Sequence, residues 1–289
     1  MGFFSNSYYK EGPGVEKNER KKKGFFAFFD IYFRNFWGLF SVSFAYSLIS
    51  VFTLGIGNGL AKAGMTHVAR SLSREKHSFL LEDFFETIKK NWKQSLALGV
   101  INILLTAVLA LDVWYFWGYI TRPDLKELAL LEIIGLGLAL ALAIVATYIK
   151  YYVWTMTITF SLTIKQMIKN SFQFVFLNFF KNVLVSVLFG AIYFGLYCLA
   201  LMGPGLMVVA IILLIFVVPG FKGLLVQSLA FPSIKKYMID SYYAEHKGED
   251  IEKRRALGLD IPEDELETEE EKEKSIFIDT VSSADDEDN

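Results

Sequence analysis

The chain has 289 residues, of which 53% are apolar and 16% aromatic, and its mean hydropathy is +0.37. Soluble domains average about 45–50% apolar residues, and the excess here is concentrated in long runs, which argues against an ordinary soluble protein. The formal net charge is −2, yet the last 27 residues hold 13 acidic and 2 basic side chains, so the remainder is basic. A single cysteine, Cys198, excludes an intrachain disulfide and a zinc cluster of cysteines.

Four apolar runs are long enough for a membrane-spanning helix, which needs about 20 residues. They are residues 36–54, 95–119, 131–155 and 182–221. The last run has 40 residues without a charge and is interrupted by Gly-Pro-Gly at 203–205, a sequence that favours a tight turn. We therefore predict a helical hairpin there, and hydropathy alone predicts five spans.

The distribution of Lys and Arg requires one further crossing. Seven of these residues precede the first run, and seven more lie between Lys62 and Lys93. Because such an excess marks cytoplasmic segments, both groups are predicted to be cytoplasmic, except Lys62, which is expected near the outer side. The extra crossing is predicted at 55–74, where small residues recur every four positions, as in closely packed membrane helices. The alternative for this stretch is an amphipathic helix on the cytoplasmic side or in the interface.

A short pattern recurs before the apolar runs. It reads FFDIYFRNFW at 28–37 and FFETIKKNW at 84–92, and a looser copy, VFLNFFKNV at 175–183, keeps the Lys-Asn step. In the second copy the apolar residues fall on one helical face, which predicts an amphipathic helix in the membrane interface or packed on the bundle. We expect each copy to begin a helical hairpin.

Together these observations predict an all-α polytopic membrane bundle of about six membrane-inserted segments in three hairpins, with interfacial amphipathic helices. The segments are expected at 36–54, 55–74 (short or re-entrant), 95–119, 131–155, 183–202 and 205–226, within a bundle that covers 36–243. Residues 1–35 are predicted to be a basic cytoplasmic segment, and 244–289 an acidic, largely disordered cytoplasmic tail.

The sequence contains no Ser-His-Asp grouping, no HExxH and no phosphate loop, so we predict no enzyme activity, no cofactor and no metal. Ionisable groups inside a bilayer are functional candidates. We predict that Lys62 and Asp112 lie at similar depth and form a charge pair, with Arg122 as a rival partner for Asp112. Asp112 could instead be a helix-end acid beside an aromatic belt. A candidate cytoplasmic interface consists of Asp83, Phe84, Phe85, Lys89, Asn91, Trp92 and Lys93.

Four stretches resemble the YesL-like family of bacterial multi-pass membrane proteins, which has no established biochemical activity. They are YYKEGPGVEKNERKKKGFFAFFDIYFRNFW at 8–37, EDFFETIKKNWKQS at 82–95, LTIKQMIKNS at 162–171 and IKKYMIDSYY at 234–243. The resemblance covers nearly the whole chain to about Tyr243 and provides no catalytic or ligand-binding residues.

The resemblance implies a protein of the bacterial plasma membrane, and the distribution of Lys and Arg predicts that both termini are cytoplasmic. It implies an accessory or regulatory role in carbohydrate uptake of the binding-protein-dependent type. The expected partners are the lipid bilayer and subunits of such an import system, with no nucleic acid. The alternative is a small-solute transporter or channel, which would need polar residues that converge at mid-membrane.

Overall fold

The computed structural model describes residues 25–75, 79–121 and 129–242, and every regular element in those ranges is helical, as predicted. In chain order the helices are α1 (Phe25–Arg34), α2 (Phe36–Phe52), α3 (Asn58–Ser73), α4 (Leu80–Ile120), α5 (Ala129–Thr159), α6 (Ile164–Leu177), α7 (Phe179–Leu201), α8 (Pro204–Ile212) and α9 (Val218–Ile234). Short π-helical segments, Leu213–Val217 and Lys235–Asp240, follow α8 and α9. The predicted acidic tail and most of the predicted basic N-terminal segment lie outside the described residues.

Within the described ranges, four helices are long and apolar enough to cross a membrane. They are Leu80–Ile120, Leu130–Thr159, Phe179–Leu201 and Pro204–Asp240. Helices α1 and α2 meet at a bend of 75° and add a fifth candidate if the bent pair counts as one span. The predicted apolar runs are therefore confirmed as helices, whereas the expected total of six membrane-inserted segments is not confirmed.

The predicted segment 55–74 is helical, but it is shorter and more polar than a typical span. Helix α3 has 16 residues and is joined to α2 by a turn in which Leu54 and Gly55 have φ values of 51° and 86°. The Tyr46 hydroxyl donates a hydrogen bond to Asn58 Oδ1 at 2.7 Å and so ties α2 to the start of α3. The expected hairpin between the first two segments is therefore present.

Small residues let α3 approach α4 at backbone distance. A Cβ atom added at Gly59 would collide with the carbonyl oxygen of Ser95 and would lie 2.7 Å from Cα of Gly99. At Gly64 it would lie 2.6 Å from the ring of Phe84. The two helices thus run antiparallel, and no larger side chain fits at these crossing points.

The next hairpins follow the same antiparallel arrangement. Near the start of α4, Gln94 Nε2 donates at 3.1 Å to the carbonyl of Leu162, which lies just after α5, and a Cβ atom at Gly135 in α5 would collide with the ring of Phe116 in α4. Helices α7 and α8 are joined at Gly203, whose φ of 149° favours glycine, and Pro204 is the first helical residue. The predicted Gly-Pro-Gly turn is confirmed.

The recurring sequence pattern corresponds to one structural device. Asn35, Asn91 and Asn178 have nearly the same non-helical backbone, with φ/ψ of −107°/17°, −111°/16° and −114°/29°. Each donates a hydrogen bond from Nδ2 to the carbonyl four residues earlier, at 2.8, 3.2 and 3.5 Å. Each asparagine therefore marks a hinge between a preceding helical segment and an apolar helix. We call these three residues the hinge asparagines.

The third copy of the pattern is displaced from the predicted alignment by four residues. The sequence alignment matched Asn182 to the first two asparagines through its Lys-Asn step, but the hinge is at Asn178. Asn182 is instead buried in α7. The three copies share a pattern of burial around the hinge asparagine. In each copy the residues at positions −7, −4, +4 and +7 from that asparagine are buried. These are Phe28, Ile31, Leu39, Val42; Phe84, Thr87, Ser95, Leu98; and Ser171, Phe174, Asn182, Val185.

Residues up to Ala230 form one compact unit, and a second unit begins at Phe231. The described part of the second unit contains the last turn of α9 and the π-helical segment Lys235–Asp240, with Lys235 Nζ 3.9 Å from Asp240 Oδ1. The predicted boundary at 243/244 lies outside the described residues. All features of the site described below belong to the first unit.

Candidate functional site

A cavity of about 400 Å³ lies among the apolar helices of the first unit. Side chains from α2, α3, α5, α7 and α9 line it, together with residues around the π-helical segment after α8. The polar and aromatic members of its wall are Tyr46, Lys62, Thr66, Thr147, Lys150, Tyr151, Trp154, Tyr193, Lys222 and Gln227. The wall contains three lysines and no acidic residue, so its formal charge is positive.

The three lysine side chains are held by aromatic rings and a hydroxyl. Lys62 Nζ lies 5.9 Å from the centroid of the Trp154 ring, a cation–π distance. Lys222 Nζ lies 5.1 Å from the centroid of the Phe189 ring. Lys150 Nζ donates to Thr106 Oγ1 at 3.2 Å. None of the three lysines forms an ion pair with a carboxylate among the described residues.

Three lysines near one another in apolar helices are energetically costly. Insertion scales give about 2.5–3.5 kcal/mol for one such residue at the centre of a membrane helix. Lys150 and Lys222 are both close enough to Lys62 to act on it electrostatically, so mutual repulsion adds to this cost. Water, a counter-ion or a ligand that solvates the ammonium groups would lower this cost.

Two further polar groups define the wall. Gln227 is buried and donates from Nε2 to Thr155 Oγ1 at 2.8 Å, which fixes α9 against α5. Trp154 is only 5% exposed, and its indole Nε1–H has no hydrogen-bond partner in the described structure. The nitrogen itself is inaccessible to solvent, so this N–H does not open onto the cavity.

A second, more open space of about 450 Å³ lies between α4 and α5, and it shares Thr147 and Lys150 with the cavity. The rest of its lining is mainly apolar: Thr106, Leu109, Ala110, Val113, Trp114, Trp117 and Ala143. We call this space the α4–α5 crevice. It leads along the apolar surface of the two helices to one of the cavity lysines.

The structure does not bring the predicted partners Lys62 and Asp112 together. Helix α3 begins beside Gly99, and α4 continues for 13 residues from there to Asp112, about 20 Å at ~1.5 Å per residue. Lys62 lies on the other side of this crossing point, because the next contact of α3 joins Gly64 to Phe84. No ion pair joins these two described residues, and the rival partner Arg122 lies outside the described ranges.

The predicted cytoplasmic interface separates into two groups. Phe84 is fully buried against Gly64, and Asn91 is a hinge asparagine, so both have structural roles. The exposed members are Phe85, Lys89, Trp92 and Lys93, with Asp83 half-buried. Lys93 Nζ lies 5.6 Å from the centroid of the Trp92 ring. An exposed aromatic and basic strip, made of Phe85, Lys89, Trp92 and Lys93, therefore remains, and we call it the α4 strip.

Sequence reasoning missed Lys150 and Lys222 as site residues. Each lies alone in an apolar context, in TYIKYYVW and GFKGLL; the predicted run 131–155 continues past Lys150, and the run 182–221 ends just before Lys222. Isolated lysines within helices that otherwise pass as membrane spans are a recognisable signal of an interior site. Their convergence with Lys62 depends on the packing of three hairpins, which one sequence does not show.

This fold defines an all-helical protein with membrane-spanning helices and a lysine-lined interior cavity. Residues 32–113 match the sequence profile of a family described as protein of unknown function, DUF624. The matched segment runs from the end of α1 through α3 into α4, and the resemblance to the YesL-like family is consistent with it. No curated protein and no solved structure matches the chain.

Proposed function

We propose that this protein is a non-catalytic accessory or regulatory component of a bacterial carbohydrate import system, located in the plasma membrane with both termini cytoplasmic. The observation that carries the proposal is the α4 strip. Helix α4, which carries the strip, packs against α3 through Phe84 on one side. On another side of α4, Phe85 and Trp92 are exposed by 46% and 51%. Exposed aromatic residues beside lysines are typical of surfaces that contact a partner protein.

The partner proposed for the α4 strip is the membrane subunit of a binding-protein-dependent importer. This choice follows the resemblance stated above, and the chemistry of the strip requires an apolar pocket with acidic residues around it. The competing explanation is the bilayer itself, because aromatic and basic residues also anchor helices at the headgroup level.

The repeat provides a matched control that separates these explanations. Phe172 and Phe179 occupy the positions of Phe85 and Trp92 relative to their hinge asparagine, and they are exposed by 46% and 48%. We expect the Phe85→Ser/Trp92→Ser variant to lose co-purification of the importer subunits from native membranes, and Phe172→Ser/Phe179→Ser to retain it. Equal behaviour of the two variants would assign the strip to the lipid interface.

The proposed topology has its own test. If α3 completes a sixth crossing, cysteines introduced at Asn6 and Ser282 should both resist a membrane-impermeant maleimide applied to intact cells. Labelling of only one of the two positions would show an odd number of crossings and would remove α3 from the membrane-crossing set.

The cavity supports a second candidate function, that of a small-solute transporter. Polar groups from several helices converge in it, as they do in the binding sites of transporters. Uptake of a labelled solute by vesicles that contain only the purified protein would favour transport, and co-purification without uptake would favour the accessory role.

A further inference from the structure

We propose that the cavity is a binding site for an oxyanion, the phosphate or carboxylate group of a ligand, held by Lys62, Lys150 and Lys222. This proposal is independent of the function proposed above, because both an accessory protein and a transporter can hold such a ligand. The cavity of about 400 Å³ falls within the range of about 300–1,000 Å³ typical of small-molecule sites.

The first argument is charge. Three ammonium groups line one space, no acidic side chain lines it, and no ion pair neutralises any of the three among the described residues. Each lysine comes from a different hairpin, with Lys62 on α3, Lys150 on α5 and Lys222 on α9. An anion at their centre would reverse the repulsion between them and would bind all three hairpins at once.

The second argument is how the lysines are held. Lys62 and Lys222 lie against the faces of aromatic rings, at 5.9 Å from Trp154 and 5.1 Å from Phe189. The face of a ring positions an ammonium group and leaves its three N–H donors available. A carboxylate partner would instead occupy some of these donors. The lysines are therefore oriented in advance and keep donors for a ligand.

The oxyanion can come from a soluble ligand or from the headgroup of an anionic lipid. The α4–α5 crevice shares Thr147 and Lys150 with the cavity and is lined mainly by apolar residues, so an acyl chain in the crevice would place a headgroup phosphate beside Lys150. The chemistry recognised by the lysines is the same in both cases, and the experiment separates the two sources.

The full chain, purified in an uncharged detergent, is titrated with sodium phosphate against sodium chloride at equal ionic strength. It is also reconstituted in nanodiscs of phosphatidylcholine with and without phosphatidylglycerol. Tryptophan fluorescence and the midpoint of thermal unfolding are followed in both arms. We expect a saturable response specific to phosphate, to phosphatidylglycerol, or to both. A response to phosphate identifies a free anion as ligand, and a response to phosphatidylglycerol identifies a lipid headgroup.

The variants Lys62→Gln, Lys150→Gln and Lys222→Gln should each weaken the response by about tenfold or more, as expected for loss of a charge-assisted hydrogen bond. Lys222→Arg should retain it. The exposed lysines Lys165 and Lys169 provide the controls, and their glutamine variants should bind as the native protein does.

A second readout keeps the proposal falsifiable if a variant changes the stability of the fold. Without anion, the cavity variants should unfold at the same or a higher temperature than the native protein, because a repelling charge is removed. With anion, only the native protein and the control variants should gain stability. The proposal is overturned if no probe gives a saturable response, or if Lys222→Gln and Lys165→Gln respond alike.

Discussion

Helices α3 and α7 show opposite relations between composition and burial. Ten of the 16 residues of α3 are buried, although α3 contains Lys62, His67 and Arg70. Only three of the 23 residues of α7 are buried, although almost all of its residues are apolar. In a soluble protein the apolar helix would be the interior one.

The burial of α3 and the exposure of α7 follow from the lipid that surrounds the bundle. Lipid chains are as apolar as leucine, so α7 gains little from burial, whereas polar groups must be satisfied inside the protein. Arg70 illustrates this, because it is 7% exposed and donates from Nη1 to Thr159 Oγ1. Position in this fold is therefore set by small residues and polar groups rather than by hydropathy.

The largest expected effect is at the crossing of α3 and α4. Replacing Gly59 by leucine puts a side chain where the backbone of Ser95 and Gly99 lies, so we expect loss of folded protein, beyond the ~1–3 kcal/mol of ordinary overpacking. Gly190→Leu on α7 is the control, because nothing lies within 4 Å of its added Cβ. Unfolding by sodium dodecyl sulfate in mixed micelles measures both, and equal midpoints would contradict the comparison.

The next effect concerns two phenylalanines of similar sequence context. Phe84 is fully buried against α3, so Phe84→Ala should lower the free energy of unfolding by about 3–5 kcal/mol. Phe180 at the start of α7 is 86% exposed, so Phe180→Ala should change the free energy of unfolding by no more than about 0.5 kcal/mol. The same micelle titration applies, and a large loss in Phe180→Ala would show that α7 packs on protein there.

A smaller effect is expected from hydroxyl groups. The Tyr152 hydroxyl donates to Asn182 Oδ1 at 2.7 Å within the interior, so Tyr152→Phe should cost about 0.5–1.5 kcal/mol of unfolding free energy. Tyr197 on α7 is 61% exposed, so Tyr197→Phe should leave stability unchanged. If both substitutions leave the free energy of unfolding unchanged, the interior hydrogen bond of Tyr152 contributes no more to stability than the exposed hydroxyl of Tyr197 does.

The smallest effect on stability comes from thiol probes. Cys198 on α7 is exposed, so Cys198→Ala should be nearly neutral, and native Cys198 should react with a lipid-soluble maleimide. Ala63 on α3 is fully buried, and an Ala63→Cys thiol in the Cys198→Ala background should stay unreactive until the protein unfolds. Rapid labelling of that thiol in the folded protein would place α3 at a surface.

The apolar runs and the Gly-Pro-Gly turn could be predicted from the sequence because they depend on local composition and turn chemistry. Helix α3 could be predicted only from the loop charges and its repeated small residues, since its hydropathy is low. The third hinge was assigned four residues too late because Lys181-Asn182 matched the pattern better than Leu177-Asn178. Hydrogen bonding to the preceding turn, rather than the basic neighbour, defines the hinge.

The cavity could not be predicted in the same way. The pairing of Lys62 with Asp112 assumed that α3 reaches as far along the bundle as α4 does, but α3 begins beside Gly99. The relative depth of two residues on neighbouring helices depends on where the helices cross. For α3 and α4 that crossing point is set by Gly59 and Gly99. The three lysines converge for the same reason, through packing between hairpins that are far apart in the chain.

The crossing of α3 and α4 also has a consequence for biosynthesis. The ribosome completes α3 before it has made Ser95 and Gly99, the residues that receive its glycine face. With its lysine, histidine and arginine, α3 is a poor substrate for release from the translocon into lipid on its own. If α3 crosses the membrane as proposed, its integration must wait for α4, the first two hairpins would enter the membrane as one cotranslational unit, and a nascent chain stopped at Arg74 would leave α3 at the water interface.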